Sequence, residues 1–388
     1  MTDNTRGGEA RPDVNAILAG LKDFQRDTVE YVFRRLYLDQ DTTHRFLVAD
    51  EVGLGKTLIA RGVIARAVDH LWDLVPRIDI IYICSNGDIA RQNVNRLRIG
   101  DQESFALASR ITMLPAQVHD LRGKKVNFIS FTPGTSFNLR SSGGLVEERA
   151  LLYWLLKRAW GLSNAMAPLN VLQAGAHHER FRSWVRWYDQ QGDIDEEISI
   201  AFKQALERRI AHEGQESNLR TRFDDLCRRF PRGNTRASRP DEHARYRLIG
   251  ELRSLLATTC LAALEPDLII LDEFQRFKSL LHGTDAASEL ARGLFEYSDE
   301  RSRARVLLLS ATPYKMYTLA DEAASDDHFA DFANTVSFLD PHADPTAFLQ
   351  LLRDLRGGLY RLADEGGERL PALKAGLETR LRRIMVRT

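Results

Sequence analysis

Five short stretches of this chain have apolar cores with no polar alternation: "RFLVA" (45–49), "IDIIYIC" (78–84), "KVNFISF" (125–131), "PDLIILDEF" (266–274) and "ARVLLLSA" (304–311). A strand with one wet face alternates, whereas a strand covered on both faces does not, and such strands belong to parallel sheets with crossover helices. A weaker run, "RITML" (110–114), predicts a further strand. Helical patterns separate several of the runs. "KTLIARGVIARAVDHLW" (56–72) sets Leu58, Ile59, Val63, Ile64 and Val68 along one face, and "DIARQNVNRLR" (88–98) is a second candidate helix. Strand–helix alternation of this kind predicts an α/β doubly wound sheet.

The alternation stops near residue 140. From 145 to about 263 the apolar spacing is helical throughout, in "LVEERALLYWLLKRAW" (145–160), "HHERFRSWVRWYDQ" (177–190), "EEISIAFKQALERRIAHE" (196–213) and "DEHARYRLIGELRSLLATTCLAAL" (241–264). The segment 220–239 holds seven Arg against two Asp and is rich in turn formers, which predicts an exposed loop. The organisation expected is a flexible tail (1–15), a sheet domain in two pieces (16–140 and 264–320), an all-helical insertion (141–263), and a mostly helical segment (321–388) with loops at 321–327 and 340–345.

Composition narrows the function classes. Lys and Arg together number 54, as do Asp and Glu, so no global positive field announces nucleic acid and any such contact must be local. The three cysteines, Cys84, Cys227 and Cys260, are odd in number and far apart, which fits a reducing compartment and a cytoplasmic location. The N-terminal residues lack an apolar signal core, and no run is long enough to span a bilayer. The histidines and cysteines have no zinc-ligand spacing. There is no G-x-S-x-G nucleophile elbow either.

The chemistry lies at strand ends. "VADEVGLGKTLIARGVIA" (48–65) places Gly53, Leu54, Gly55, Lys56 and Thr57 between a strand and a helix. Glycines let backbone N–H groups approach phosphate oxygens, the helix N-terminus favours anions, Lys56 reaches the outer phosphates and Thr57 is placed to ligate Mg²⁺. Asp50 stands where the strict P-loop pattern has glycine. Asp272 and Glu273 end the run "LIILDEF" (268–274). There an Asp holds magnesium and the next Glu polarises the attacking water. Ser310 and Thr312 end the run "LLLSATPY" (307–314), placed to couple a phosphate sensor to neighbouring loops.

Taken in order, these motifs resemble the superfamily 2 helicases and translocases, of DEAD/DEAH-type organisation and nearest the Swi/Snf-like branch. That branch reads DEMGLGKT where this chain has "DEVGLGKT" (50–57), so Asp50 fits it. Its second acidic motif appears as "DEFQ" (272–275) and its third as "SATP" (310–313). The resemblance implies a RecA-like P-loop lobe that binds ATP and Mg²⁺, with Lys56, Asp272 and Glu273 catalytic and Thr57 and Asp272 on the metal. It also implies that Gln25, in "LKDFQRDTVEYV" (21–32), reads adenine with Phe24 or Arg26 packed on the base. Ser85 and Asn86 fall at the family's motif Ia, and Thr135 and Ser136 at motif Ib; both motifs touch a nucleic-acid backbone, expected here to be duplex DNA. The family's arginine fingers have no counterpart in 317–388, where "QLLRDLRGGLYR" (350–361) has the spacing of an amphipathic helix. "RLRRIMVRT" (380–388) resembles the linker to a second lobe, which the resemblance makes necessary for full ATP turnover.

The helical insertion has no counterpart in that pattern. Its charge is nearly balanced, 19 Lys and Arg against 17 Asp and Glu over 145–265. Its aromatics Tyr153, Trp154, Trp160, Trp184 and Trp187 serve a core or an interface. A second reading therefore stands beside the motor: a nucleotide-gated module whose insertion docks a partner protein.

Overall fold

The strands form where the apolar runs fall. The computed structural model describes residues 10–51, 53–100, 104–107, 110–117, 124–137, 139, 142–162, 165–191, 193–214, 216–232, 238–298, 303–310, 328–360 and 369–387. In chain order the elements are α1 (Val14–Ala19), α2 (Asp23–Phe33), β1 (Arg45–Val48), α3 (Lys56–Leu71), β2 (Ile78–Ile83), α4 (Gly87–Leu97), β3 (Ser104–Leu107) and β4 (Val126–Phe131). A helical run follows: α5 (Pro133–Ser136), α6 (Val146–Trp160), α7 (Met166–Gln173), α8 (His178–Gln191), α9 (Glu196–Glu213), α10 (Leu219–Arg229) and α11 (Arg239–Ala262). The chain closes with β5 (Leu268–Asp272), α12 (Lys278–His282), α13 (Ala286–Phe295), β6 (Arg305–Leu309), α14 (His328–Leu339), α15 (Pro345–Tyr360), α16 (Leu370–Arg382) and β7 (Met385–Val386).

Two compact units divide the chain: residues 1–103, 266–282 and 298–388 form the first, and 104–265 with 283–297 the second. The insertion expected over 141–263 falls wholly inside the second unit, which also takes in 104–140 and 283–297. In the first unit β2 pairs with β5, β5 with β6, β6 with β1, and β1 with β7, all parallel. The fold is thus α/β, with a parallel sheet and helices packed upon it. Burial explains the largely apolar runs: β1, β2 and the first four residues of β5 are buried at every position, Arg45 and Asp79 included. Helix α3 lies against α2 and α4 and buries Ile59, Val63, Ile64 and Val68, the stripe read from sequence. Leu58 of that stripe stays 40% exposed beside the phosphate-loop turn.

The second unit pairs β3 with β4, also parallel, and is otherwise helical. Its interior holds charge. Glu148 and Arg253, each 1% exposed, meet at 3.0 Å. Glu148 also accepts from Thr112 Oγ1 and from the Leu145 N–H, and Arg110 lies 3.4 Å away. Gly144, at φ 59°, makes room for this pair, because a Cβ there would stand 2.3 Å from Arg253 Nε. Arg149, also buried, donates to the carbonyls of Gly143, Gly144, Leu172 and Gln173.

Two expectations change, and one stretch carries a strand beyond those expected. "RITML" is not a strand: Ile111–Ala116 is a 3₁₀ segment, and Ile111 and Leu114, three residues apart, are buried as that period requires. The Arg-rich stretch 220–239 is helical at its start. Asn218 Oδ1 caps α10 by accepting from Thr221 N, and Leu219, Phe223 and Leu226 bury one face while the arginines take the other positions. The stretch 380–388, likened to a linker, ends in β7 beside β1, with Leu47 N donating to Ile384 O and Ala49 N to Val386 O, both at 2.9 Å.

Candidate functional site

Strands β1, β6 and β5 end level with one another. Val48 is registered with Leu309, and Leu309 with Asp272. Neighbouring strands lie about 4.8 Å apart, so two steps put Asp272 about 10 Å from the end of β1. Ser310, 1% exposed, directly follows the strand between, and its N–H donates to Val48 O at 3.0 Å. Three strands therefore end at one carboxyl edge, the edge at which open α/β sheets bind ligands.

The first loop turns through two glycines with positive φ, Gly53 at 92° and Gly55 at 84°. Gly55 precedes α3, whose first turn closes on its carbonyl through Leu58 N and Ile59 N at 2.8 and 3.1 Å. Among the described residues no side chain caps this helix, so its first N–H groups, Lys56 and Thr57 among them, are the open donors at the positive end of the dipole. Lys56 Nζ folds back onto the carbonyls of Asp50 and Glu51 at 3.0 and 2.8 Å. Burial pushes its ammonium below the ordinary lysine range, and the charges of Asp50, Asp272 and Glu273 push it back up. The lysine turn and the twin acids thus share one electrostatic neighbourhood as well as one sheet edge.

Gln25 packs against the glycine turn. It is 5% exposed; its Nε2 donates to Leu54 O at 2.9 Å and its Oε1 accepts from Lys22 N at 3.0 Å. A Cβ on Gly55 would stand 2.4 Å from that Nε2, so only glycine fits under the brace. Gln25 braces the glycine turn through one bond at each end of its amide. Phe24 is half-buried, and Arg26 Nη2 donates to Leu21 O and Asp23 Oδ1.

Asp272 ends β5 with Oδ2 held twice, by Tyr82 Oη and by Asn93 Nδ2 at 3.1 Å. Asn93 Nδ2 also reaches Tyr82 Oη at 2.9 Å. Burial, and then the Asp272 charge, push the Tyr82 phenol far above its ordinary range, so it remains a donor. Among the described residues no donor is bonded to Asp272 Oδ1. Glu273 follows in the left-handed region, φ 52° and ψ 43°, where a residue with a Cβ is strained. Its Oε2 lies 2.9 Å from Arg276 Nε.

The remaining expected residues divide. Ser85 Oγ is buried and unpartnered among the described residues. Asn86 Oδ1 accepts from Asp88 N and so caps α4. Thr135 is exposed and donates to Thr132 O at 3.3 Å. Ser136 is a correction: it is 4% exposed and its hydroxyl accepts from Thr132 N, so it closes a turn and is not presented to a nucleic-acid backbone. Thr312 lies outside the described residues. Sequence reasoning missed Tyr82 and Asn93. The available signal was a lone tyrosine in a strand of isoleucines and one aspartate, since a buried phenol needs a hydrogen-bond partner.

The donor set fits a triphosphate with magnesium: backbone N–H groups, one lysine, the Thr57 hydroxyl and one carboxylate oxygen. Among the described residues no group of three or more His, Cys, Asp and Glu could hold a metal ion. A cation here would be held by one or two side chains plus phosphate and water, the usual arrangement for Mg²⁺. No helix among the described residues is long and apolar enough to cross a membrane. No protein-family model matches the chain, and no curated protein matches it in sequence.

Proposed function

We propose that this chain is the ATP-binding, RecA-like lobe of a superfamily 2 type nucleic-acid translocase or helicase, acting on duplex DNA and reaching full turnover with a second lobe. The observation that carries the reading is the shared row Val48–Leu309–Asp272, which gathers the Lys56 turn and the Asp272–Glu273 pair at one edge of the sheet.

In this reading the open N–H groups of α3 receive phosphate oxygens, and Lys56 exchanges two carbonyls for the outer phosphates. Thr57 and Asp272 Oδ1 would hold Mg²⁺, which when bound withdraws charge from the transferring phosphoryl group. Glu273 orients the attacking water and accepts its proton. Gln25 keeps the turn in its receiving shape. Ser85, Asn86 and Thr135 remain proposed contacts to the nucleic-acid backbone. They carry no charge, so they would set register on phosphates without reading bases.

The test has two stages. The protein should bind a fluorescent ATP analogue, more tightly with Mg²⁺ than in EDTA, and Lys56→Ala should weaken that binding by roughly tenfold to a hundredfold. Turnover of ATP should be feeble for these 388 residues and rise with duplex DNA once the chain is joined to its second lobe. Turnover in that larger protein should fall roughly 10²–10⁴-fold on Glu273→Gln. Absence of nucleotide binding would refute the site. Binding without stimulation by any nucleic acid would replace the motor with a nucleotide-gated module that docks a protein through the helical insertion.

A further inference from the structure

We infer that Tyr82 and Asn93 are positioning residues for Asp272. Together they fix which carboxylate oxygen is left for the cation, and they tie that choice to the seating of α4. The inference rests on the proposed nucleotide site and goes further, because neither residue belongs to a motif that points to it.

Register places the contact. Tyr82 on β2 is paired with Ile270 on β5, so Asp272 lies two residues further along and projects from the same face. An aromatic side chain spans such a diagonal. Tyr82 is 1% exposed in a strand whose other residues are four isoleucines and Asp79, and phenylalanine would fill the same space. The hydroxyl is the part that packing does not explain, and it ends on Asp272 Oδ2. Asn93, in the second turn of α4, closes the triangle by donating to both Tyr82 Oη and Asp272 Oδ2. A carboxylate held at one oxygen by a single donor can still swing. Held there by two donors from two different elements, it cannot turn without disturbing both. Oδ1 is thereby left facing away from the triangle. Because α4 packs on β2, a shift of that helix is transmitted to Asp272 through Asn93.

The test uses the full chain, a fluorescent ATP analogue and a Mg²⁺ titration, with Tyr82→Phe and Asn93→Ala. In EDTA both variants should bind the analogue as the wild type does, because the turn at Lys56 is untouched; this arm also reports that they fold. The Mg²⁺ concentration needed for tight binding should rise about tenfold to a hundredfold in each, the range seen when outer partners of a metal ligand are removed. Wild-type binding with unchanged Mg²⁺ midpoints in both variants overturns this inference alone. Equal losses with and without Mg²⁺ make the pair a packing feature and overturn it too. A wild type that binds no nucleotide brings down the proposed site, and this inference with it.

Discussion

The edge of the sheet in the first unit and the charged interior of the second use polar groups in opposite ways. At Glu148 every route of hydrogen bonding is turned inward: Arg253, Arg110, Thr112 and a backbone N–H converge on one carboxylate. Arg149 is likewise consumed by four carbonyls. At the sheet edge the same residue types are left incomplete. Lys56 rests on two carbonyls it can release, Asp272 keeps one oxygen unclaimed by a described donor, and Glu273 sits in a strained conformation. A saturated cluster specifies structure, and an unsaturated one with retained strain is poised for a ligand.

Four measurements would break or sharpen that contrast. The largest effect belongs to Glu148→Ala, which leaves Arg253 buried without its partner. Chemical denaturation should show a loss of about 3–5 kcal/mol, and a loss under 1 kcal/mol would mean the cluster is not the structural keystone described. Lys56→Ala should behave in the reverse manner. Removing a charged hydrogen-bond donor weakens nucleotide binding by about 1.5–3 kcal/mol, read by titration calorimetry, while the unfolding midpoint of the free protein stays put. A matching fall in the midpoint would place Lys56 with the structural residues.

Smaller, and opposite in sign, is Glu273→Gly. Glycine relieves the positive φ, so the free protein should gain up to about 1 kcal/mol in a urea titration even as catalysis is lost. Destabilisation instead would show that the Arg276 contact outweighs the strain. The slightest effect concerns the thiols. Burial raises all three, with Cys227 pushed up to about 12 and Cys84 and Cys260 also above the ordinary thiol range. Raised values mean little thiolate at pH 8, so a thiol-reactive chromophore should leave all three native cysteines untouched and modify all of them after unfolding. Early reaction at Cys84, beside Asp272, would show that the sheet edge opens before the helical unit does.

The legible part of this molecule is the part governed by local rules. Largely apolar runs gave β1, β2, β4, β5 and β6, because strands buried on both faces favour apolar residues even where Asp79, Asn127 and Ser130 interrupt them. Helix α9 matched its periodic segment at both ends. The P-loop was legible because a glycine turn between a strand and a helix is itself a local arrangement. What stayed hidden depended on distant partners. The 3₁₀ segment at Ile111 has too few residues to separate period three from period two. Helix α10 was masked by arginines on its outer positions, although Leu219, Phe223 and Leu226 carry the stripe. Tyr82 and Asn93 meet an aspartate nearly two hundred residues away, and the brace at Gln25 needs the turn at Leu54 in place before its purpose is visible. Ser136 reads as a polar loop residue until the short helix folds around its hydroxyl.

The two-residue strand β7 has a consequence out of proportion to its size. By lying along β1 it turns that strand from a border into an interior one, so the stretch from which the glycine turn springs is clamped on both sides. A truncation ahead of Ile384 would strip the clamp and leave the amides of Leu47 and Ala49 without partners along an apolar strand edge. Such edges recruit one another. Shortened versions of this chain should therefore precipitate or self-associate, and the last few residues belong in any soluble preparation of it.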